Sequence, residues 1–473
     1  MPVYRDVLAD ISTPVGAYWK LANDETYSFL LESVTGGESL GRYSIIGVRP
    51  KLVLRTKDRN VRRITAKGET REHLAEGTDP LHLLQDELQG PEPIPVEGMP
   101  KFIGGAVGML GYDMVRFFEK LPDNTLDDLR VDDLAMMISD TVVVFDHAKN
   151  VIRIIVMAEA GANGYEHASA EIERIYTRLK RPLPDLPQAR YEVGEVASNM
   201  SQDRYEDGVN HLIQKITEGE GVQFVFAQRF STPAKAHPLT IYRALRSLNP
   251  SPYMFLLRFG DFDVIGASPE ILVSLSGDVA RVRPIAGTRS RGKTGDEDAA
   301  LAFELLNDEK ERAEHIMLVD LGRNDLGRVC KYGSVRVGDL MEIERYSHVM
   351  HMVSDVTGEL RPDLNSFDLI RATFPAGTVS GAPKVRAMQL IDQLEPTRRG
   401  LYAGSVGYFG ANGDMDMCIA IRTILLQNGM AYVQAGGGIV YDSVPQNEFK
   451  ETKKKAGACL RAIQLAQNGL EPI

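Results

Sequence analysis

Cysteine is scarce. The 473 residues include three, Cys330, Cys418 and Cys459, with wide spacings and no CxxC. An odd, scattered set excludes a disulfide framework and a cysteine-based zinc site, and a reduced, cytoplasmic setting is expected. Long apolar runs are also missing. None approaches the roughly 18 residues of a membrane span, and the opening MPVYRDVLAD lacks the apolar core of a signal peptide. Nor is there an excess of positive charge: 54 Lys and Arg stand against 65 Asp and Glu, a net −11. That balance argues against a nucleic-acid surface. An anionic substrate must then be held by local cations, backbone N–H groups or a metal ion.

What is present is ordinary for a globular chain, with 43% hydrophobic and 25% charged residues. The length exceeds one ordinary core and predicts two units, 1–180 and 201–473, joined by a proline-bearing, aperiodic linker at 181–200. TVVVFD and VIRIIVMA flank HAKN as a hairpin. GGAVGMLGY (Gly104–Tyr112) reads as a strand where backbones approach closely. Asn428-Gly429 between IAIRTILL and MAYVQA is a hairpin turn. Ser380-Gly381-Ala382-Pro383 feeds the helical KVRAMQLIDQL, and 308–318 and 451–466 are amphipathic helices. The mixture, without βαβ alternation, predicts an α+β fold of largely antiparallel sheets packed together with surrounding helices.

One motif invites a different class of protein. GTRSRGKT (Gly287–Thr294) matches the phosphate-binding G-x-x-x-x-G-K-[ST] pattern of nucleotide-binding proteins. Such a loop must run straight into a helix whose N–H groups face phosphate. Here Gly295 should discourage helix entry, and Asp296, Glu297 and Asp298 should repel phosphate, so a solvated surface loop is expected.

Two carboxylate pairs stand at helical spacing, Glu311 with Glu314 and Glu448 with Glu451. Residues three apart share a helix face, and two such faces brought together suit a hard divalent ion such as Mg²⁺. Each pair alone is equally a solvated face, and Glu451 with Lys455 is an ordinary i, i+4 ion pair. Arg422 lies among apolar residues in IAIRTILL and calls for an anion, either a structural partner or a substrate carboxylate. Gly436, Gly437 and Gly438 follow a strand and permit close approach to a carboxylate, although a turn is the commoner meaning of such a run.

Taken together the motifs are far more specific. LESV-x-x-GE-x-x-GRYS (Leu31–Ser44), GG-x-VG-x-LGYD (Gly104–Asp113), QFVFAQRF (Gln223–Phe230), ASPE (Ala267–Glu270), PIAGTR-x-RG (Pro284–Gly292), DEKERAEHIMLVDLGRNDLGRV (Asp308–Val329), VMHMVS (Val349–Ser354), GTVSGAPKVRAMQLID (Gly377–Asp392), QAGGGIVYDS (Gln434–Ser443) and E-x-x-E-x-x-x-KA (Glu448–Ala456) occur in one order. Over nearly its whole length the chain resembles the chorismate-utilising enzymes, most closely their anthranilate synthase branch. The resemblance implies a magnesium-dependent carbon–oxygen lyase that aminates chorismate and eliminates pyruvate, in tryptophan biosynthesis. It implies Glu314 and Glu451 as Mg²⁺ ligands with Glu311 and Glu448 nearby through water. It also implies Glu270 as the acid that protonates the departing C4 hydroxyl, His351 as an aid to orientation and proton movement, and Thr378 as a hydrogen-bonding partner of substrate. Gln223, Ala286, Gly287, Thr288, Gly377, Arg422 and the three glycines Gly436, Gly437 and Gly438 would surround chorismate.

Two positions separate the branches. The relatives that add water carry a lysine where this chain has Gln223, and aminodeoxychorismate synthases read PIKGT where it has PIAGT with Ala286. Both favour anthranilate synthase, with an aminodeoxyisochorismate synthase as the alternative. No cysteine sits in a G-x-C-x-G setting, so ammonia is expected from a separate glutamine amidotransferase subunit. Glu32 and Ser33, with Pro252, Tyr253 and Met254, match the family's feedback site for L-tryptophan: the first two for the amino-acid head, the last three for the indole. The same segments are equally able simply to pack the two units together.

Overall fold

The computed structural model describes residues 1–34, 41–90, 93–187, 189–346 and 349–470. Among them, two large antiparallel sheets of 12 and 11 strands lie face to face, with a separate three-stranded sheet beside them. The layering follows from apolar residues on both faces of single strands. In Thr141–Asp146, Val142 and Val144 enter the core between the sheets, whereas Val143 and Phe145 enter the outer core. Tyr253–Phe259 divides likewise, Phe255 and Leu257 inward, Met254 and Leu256 outward. A strand buried on both sides reads as a continuous apolar run rather than an alternating one. Helices Pro14–Ala22, Pro238–Leu248 and Pro445–Asn468 cover the outer face of the larger sheet. Ser366–Thr373 and the C-terminal half of Glu309–Gly327 cover the other.

Local signals act as their chemistry requires. Asn428 and Gly429 take φ of 53° and 74° in a two-residue turn that pairs Gln427 with Met430. In strand Gly105–Leu110, a Cβ on Gly108 would meet the Ala135 carbonyl at 2.0 Å, so only glycine permits that approach.

The division at 181–200 is corrected by the sheet topology. The larger sheet joins Tyr27–Glu32 to Tyr253–Phe259, and the smaller joins Gly105–Leu110 to Ser405–Gly410. Both sheets therefore take strands from both halves of the chain, which form one body. The intervening segment is a packed strap: Trp19 Nε1 donates to the Asp185 carbonyl at 3.1 Å, and Tyr191 N to the Gln467 carbonyl at 2.7 Å.

The GTRSRGKT segment also differs from expectation. Its first half is strand Ile285–Ser290 of the three-stranded sheet, and Thr294 caps helix Gly295–Asn307, so the chain enters a helix at once despite Gly295. The loop N–H groups that would face phosphate are already taken by the protein's own acids. Asp298 accepts from Gly292 N at 3.0 Å and Arg291 Nε at 2.6 Å, and Glu297 from Lys293 N at 2.7 Å.

Candidate active site

The chain changes sheets twice at one place, and both crossings carry chemistry. Phe262–Ser268 belongs to the larger sheet and Ile271–Ser276 to the smaller, with Glu270 between them. Met415–Ile419 belongs to the smaller and Thr423–Gln427 to the larger, with Arg422 between them. The crossings are hydrogen-bonded side by side: Ile419 N donates to the Glu270 carbonyl at 3.0 Å and Ala267 N to the Arg422 carbonyl at 3.1 Å. Arg422 is thus not in a strand, as IAIRTILL suggested, but at a left-handed φ of 52°. That conformation is costly for a non-glycine residue and marks a functional constraint.

Glu270 is buried, and burial raises its pKa to about 8, with Thr378 and Lys455 pulling the other way. Relative to an exposed glutamate, the charged form is disfavoured by about 5 kcal/mol, so the side chain is an acid at neutral pH. Thr378 is presented by the short helix Gly377–Ser380, with its Oγ1 buried beside the Glu270 carboxyl. Glu270, Gly377 and Thr378 line one cavity with Ile419 and Leu321. Arg422 donates to the Lys455 carbonyl at 3.0 Å, has no carboxylate within salt-bridge distance among the described residues, and is lowered in pKa by desolvation. A cation in this condition is stabilised by an incoming anion.

The glycine run Gly436, Gly437 and Gly438 lies in strand Met430–Ile439, opposite Ala227, Phe226 and Val225. It is not a turn. A Cβ would meet Tyr402 Oη at 2.8 Å on Gly436, Glu448 Oε2 at 2.8 Å on Gly437, and Gln223 Nε2 at 2.4 Å on Gly438. The run admits three polar side chains against bare backbone. Gln223, buried at the start of its strand, also donates to Glu314 Oε1 at 3.3 Å.

The opposite wall is the three-stranded sheet. Gly287 takes φ 67° in a bulge between the Ala286–Met352 and Thr288–His351 pairs. The bulge turns the Gly287 carbonyl to His351 Nδ1 at 3.1 Å, with Thr288 Oγ1 also 3.1 Å away. A carbonyl only accepts, so Nδ1 carries the proton and Nε2 keeps its lone pair. Desolvation lowers the His351 pKa, and the ring is neutral at pH 7. Ala286 is buried here, beside Met352.

Helix Glu309–Gly327 brings Glu311 and Glu314, and helix Pro445–Asn468 brings Glu448 and Glu451. Burial and Glu311 raise the Glu314 pKa; burial and Glu451 raise that of Glu448. Glu311 pairs with Arg289 at 3.2 Å and Glu451 with Lys455 at 2.6 Å. Among the described residues, Glu314 and Glu448, one from each helix, have only neutral hydrogen-bond partners, Gln223 and Ser443. Among the described residues no three His, Cys, Asp or Glu side chains converge as a metal cluster. The donor chemistry nevertheless fits Mg²⁺: hard oxygens, few in number, with negative charge left uncompensated.

Lys455 is the functional residue that sequence reasoning passed over. Its Nζ binds Glu451 and the Gly436 carbonyl (3.0 Å), and its charge lowers the pKa values of Glu270, Glu314 and Glu448 together. The available signal was its place in E-x-x-E-x-x-x-KA. Tyr402, against Gly436, carried no signal in its immediate sequence.

The segments matched to a tryptophan site also meet. Glu32 pairs in register with Met254, which places Ser33 beside Tyr253. The two pairs face opposite sides of the sheet: Met254 joins the outer core, and Tyr253 the inner one, where its hydroxyl donates to Asp416 at 3.1 Å. A slot lined by both must lie at the strand ends, near Pro252. Glu32 is already engaged by Tyr242, by Arg246 Nε at 3.0 Å and by Ser44, whereas Ser33 Oγ is buried without a partner among the described residues. The middle of the LESV…GRYS motif, residues 35–40, lies outside the described residues.

Residues 26–461 match the chorismate binding enzyme family. The chain is 48% identical to anthranilate synthase component 1 of Pseudomonas aeruginosa, over all of this chain and 97% of that one. It is 46% identical to the Aquifex aeolicus protein of the same name, over all of this chain and 96% of the relative. The fold is that of anthranilate synthase component I from Streptococcus pneumoniae, with a TM-score of 0.80, 38% identity, and coverage of 96% of this chain and 99% of that one. The menaquinone-specific isochorismate synthase MenF of Escherichia coli shares the fold at TM-score 0.72 and 17% identity, covering 98% and 95%. The double-sheet body with its cleft at the sheet crossings is thus the fold of chorismate-utilising enzymes. The chain belongs to the chorismate binding enzyme family and, within it, to the anthranilate synthase component 1 group.

Proposed function

We propose that this chain converts chorismate and ammonia to anthranilate, pyruvate and water, with Mg²⁺ bound. The observation that carries the reading is its full-length identity with the anthranilate synthase component 1 proteins. The cleft chemistry agrees. Arg422, without a carboxylate partner, receives the enolpyruvyl carboxylate together with backbone at Gly438. Glu314 and Glu451, helped by Glu311 and Glu448, would hold Mg²⁺, which would neutralise the ring carboxylate and keep four glutamates from repelling the dianion. Gln223, where a base would activate water, donates its amide to Glu314 instead, which leaves ammonia as the nucleophile.

Nitrogen attacks C2, both ring double bonds shift toward C4, and the C4–O bond breaks. Hydroxide is a poor leaving group, and the neutral Glu270 supplies the proton that makes it water. Loss of the C2 proton and cleavage of the C3–O bond then release pyruvate and aromatise the ring. His351, with Nε2 free, helps to move that proton, and Thr378 orients the substrate. Ammonia comes from a separate glutamine amidotransferase subunit, and L-tryptophan acts as inhibitor at Ser33, Glu32 and 252–254. No helix among the described residues is long and apolar enough to cross a membrane, in keeping with an enzyme of the cytoplasm.

The test is an assay of the purified chain with chorismate, ammonium and Mg²⁺, with products identified by mass spectrometry. Anthranilate and pyruvate are expected. An aminated product that keeps its enolpyruvyl group would overturn the reading in favour of an aminodeoxyisochorismate or aminodeoxychorismate synthase.

A further inference from the structure

Beneath the cleft lies an ion pair that neither binding nor proton transfer uses. Glu395, which caps the end of helix Lys384–Leu394, and Arg399 are about as buried as any residues in the protein, with side chains 2% and 1% exposed. Four of the five guanidinium N–H groups are engaged. Nε and Nη2 donate to the two Glu395 oxygens at 3.0 and 2.7 Å, Nη1 to the Val379 carbonyl at 2.6 Å, and Nη2 also to the Val225 carbonyl at 2.8 Å. Glu395 Oε1 further accepts from Ala227 N at 3.0 Å. The Tyr112 and Tyr402 rings lie 4.9 and 5.3 Å from the guanidinium carbon.

Taking two charges out of water is expensive, and an apolar pair of the same size is commonly as stable or more so. Stability alone is therefore a weak account of such a pair, and what it fixes in place is the stronger one. Here the contacts converge on the cleft. Val379 follows Thr378 in a helix of four residues, Gly377–Ser380, too short to hold itself. Val225 lies opposite Gly438 across the sheet, and Tyr402 carries its hydroxyl against Gly436.

We propose that Glu395 and Arg399 are positioning residues for the amination of chorismate: Arg399 holds the Thr378 turn, the Gly438 strand and Tyr402 in one geometry, and Glu395 holds Arg399. Neither touches substrate. The inference rests on the proposed function for the identity of the reaction. Small displacements of groups that orient a substrate cost on the order of a hundredfold in rate.

The decisive variant replaces both charges with apolar side chains, Glu395→Leu with Arg399→Met. A merely structural pair predicts a folded enzyme of unchanged activity. The positioning role predicts a folded enzyme, with Tm lowered by the Ala227, Val225 and Val379 backbone groups that lose a partner, and with kcat/KM for chorismate lowered about a hundredfold, most of the loss in kcat. A folded double variant within threefold of wild type would overturn it. Should the double variant fail to fold, Arg399→Lys decides. It keeps the charge for Glu395 and loses the fork, so about a tenfold fall in kcat is expected at unchanged Tm, and unchanged kinetics would overturn the proposal. The wild-type assay is run first: absence of anthranilate there contradicts the reaction, whereas anthranilate with indifferent variants contradicts only the positioning role.

Discussion

The two walls of the cleft are built by different physics. One wall consists of the sheet crossings and the glycine strand, rooted in large apolar cores: Glu270, Arg422, Thr378 and Gly436–Gly438 stand there. The other carries His351, Thr288, Gly287 and Glu311 on the three-stranded sheet and its flanking helices. Its own core is four buried residues, Ala302, Leu305, Met350 and Met352. The rest is held by ion pairs: Asp298 with Arg291 at 2.6 Å and Arg345 at 2.9 Å, Arg289 with Asp308 at 2.8 Å, and Arg283 with Glu344. Packing fixes position regardless of salt, whereas partly exposed ion pairs are screened. The acid is thus set on a rigid wall, and the histidine and half of the carboxylates on an adjustable one.

The largest effect expected on the rigid wall is that of Glu270→Gln. Removing the acid should lower kcat by roughly 10²–10⁴-fold with chorismate binding retained. Because burial raises this pKa to about 8, the protonated form is lost as pH rises through about 8, and wild-type kcat should fall there. Stability follows the same sign. A carboxyl raised on folding favours the native state below its unfolded pKa, and that advantage fades as pH climbs toward 8. Glu270→Gln should therefore flatten the decline of Tm between about pH 4.5 and 8; an unchanged decline would contradict the burial argument.

Across the gap, Glu314→Gln should shift the Mg²⁺ requirement of the assay upward by more than about tenfold, and Glu448→Gln should do the same from the opposite wall. A shift in only one would mean that the walls do not share the ion. On the adjustable wall, His351→Phe should cost on the order of a hundredfold in kcat. Smallest of all, Asp298→Asn removes the hub of Arg291 and Arg345. A few-fold loss of activity that shrinks with added salt, as the same ion pairs are screened in the wild-type chain, at nearly constant Tm, would confirm that this wall is held by charge. Salt-independent loss would erase the contrast between the walls.

The same contrast governs what could be read from the sequence. Continuous apolar runs disclosed strands, Asn428-Gly429 its turn, and the i, i+3 glutamates their helices, because each rests on local periodicity or local φ. The joining of the halves did not appear. Nothing local in Tyr27–Glu32 names Tyr253–Phe259 as its neighbour. Gly295 was misjudged because Thr294 caps the helix well enough to offset the glycine. Arg422 was misplaced because a sheet crossing looks apolar from either side. Lys455 was hidden by its ordinary pairing with Glu451: its reach to the Gly436 carbonyl depends on the packing of helix against sheet.

The central claim is that carboxylates from both walls close on one cation and so admit chorismate. Calorimetric titration of chorismate into the purified chain, with and without Mg²⁺, tests it most directly. The account predicts binding that needs Mg²⁺ in the wild-type chain and is lost at the same Mg²⁺ concentration in both Glu314→Gln and Glu448→Gln. Equal affinity without the ion, or in either variant, would contradict it.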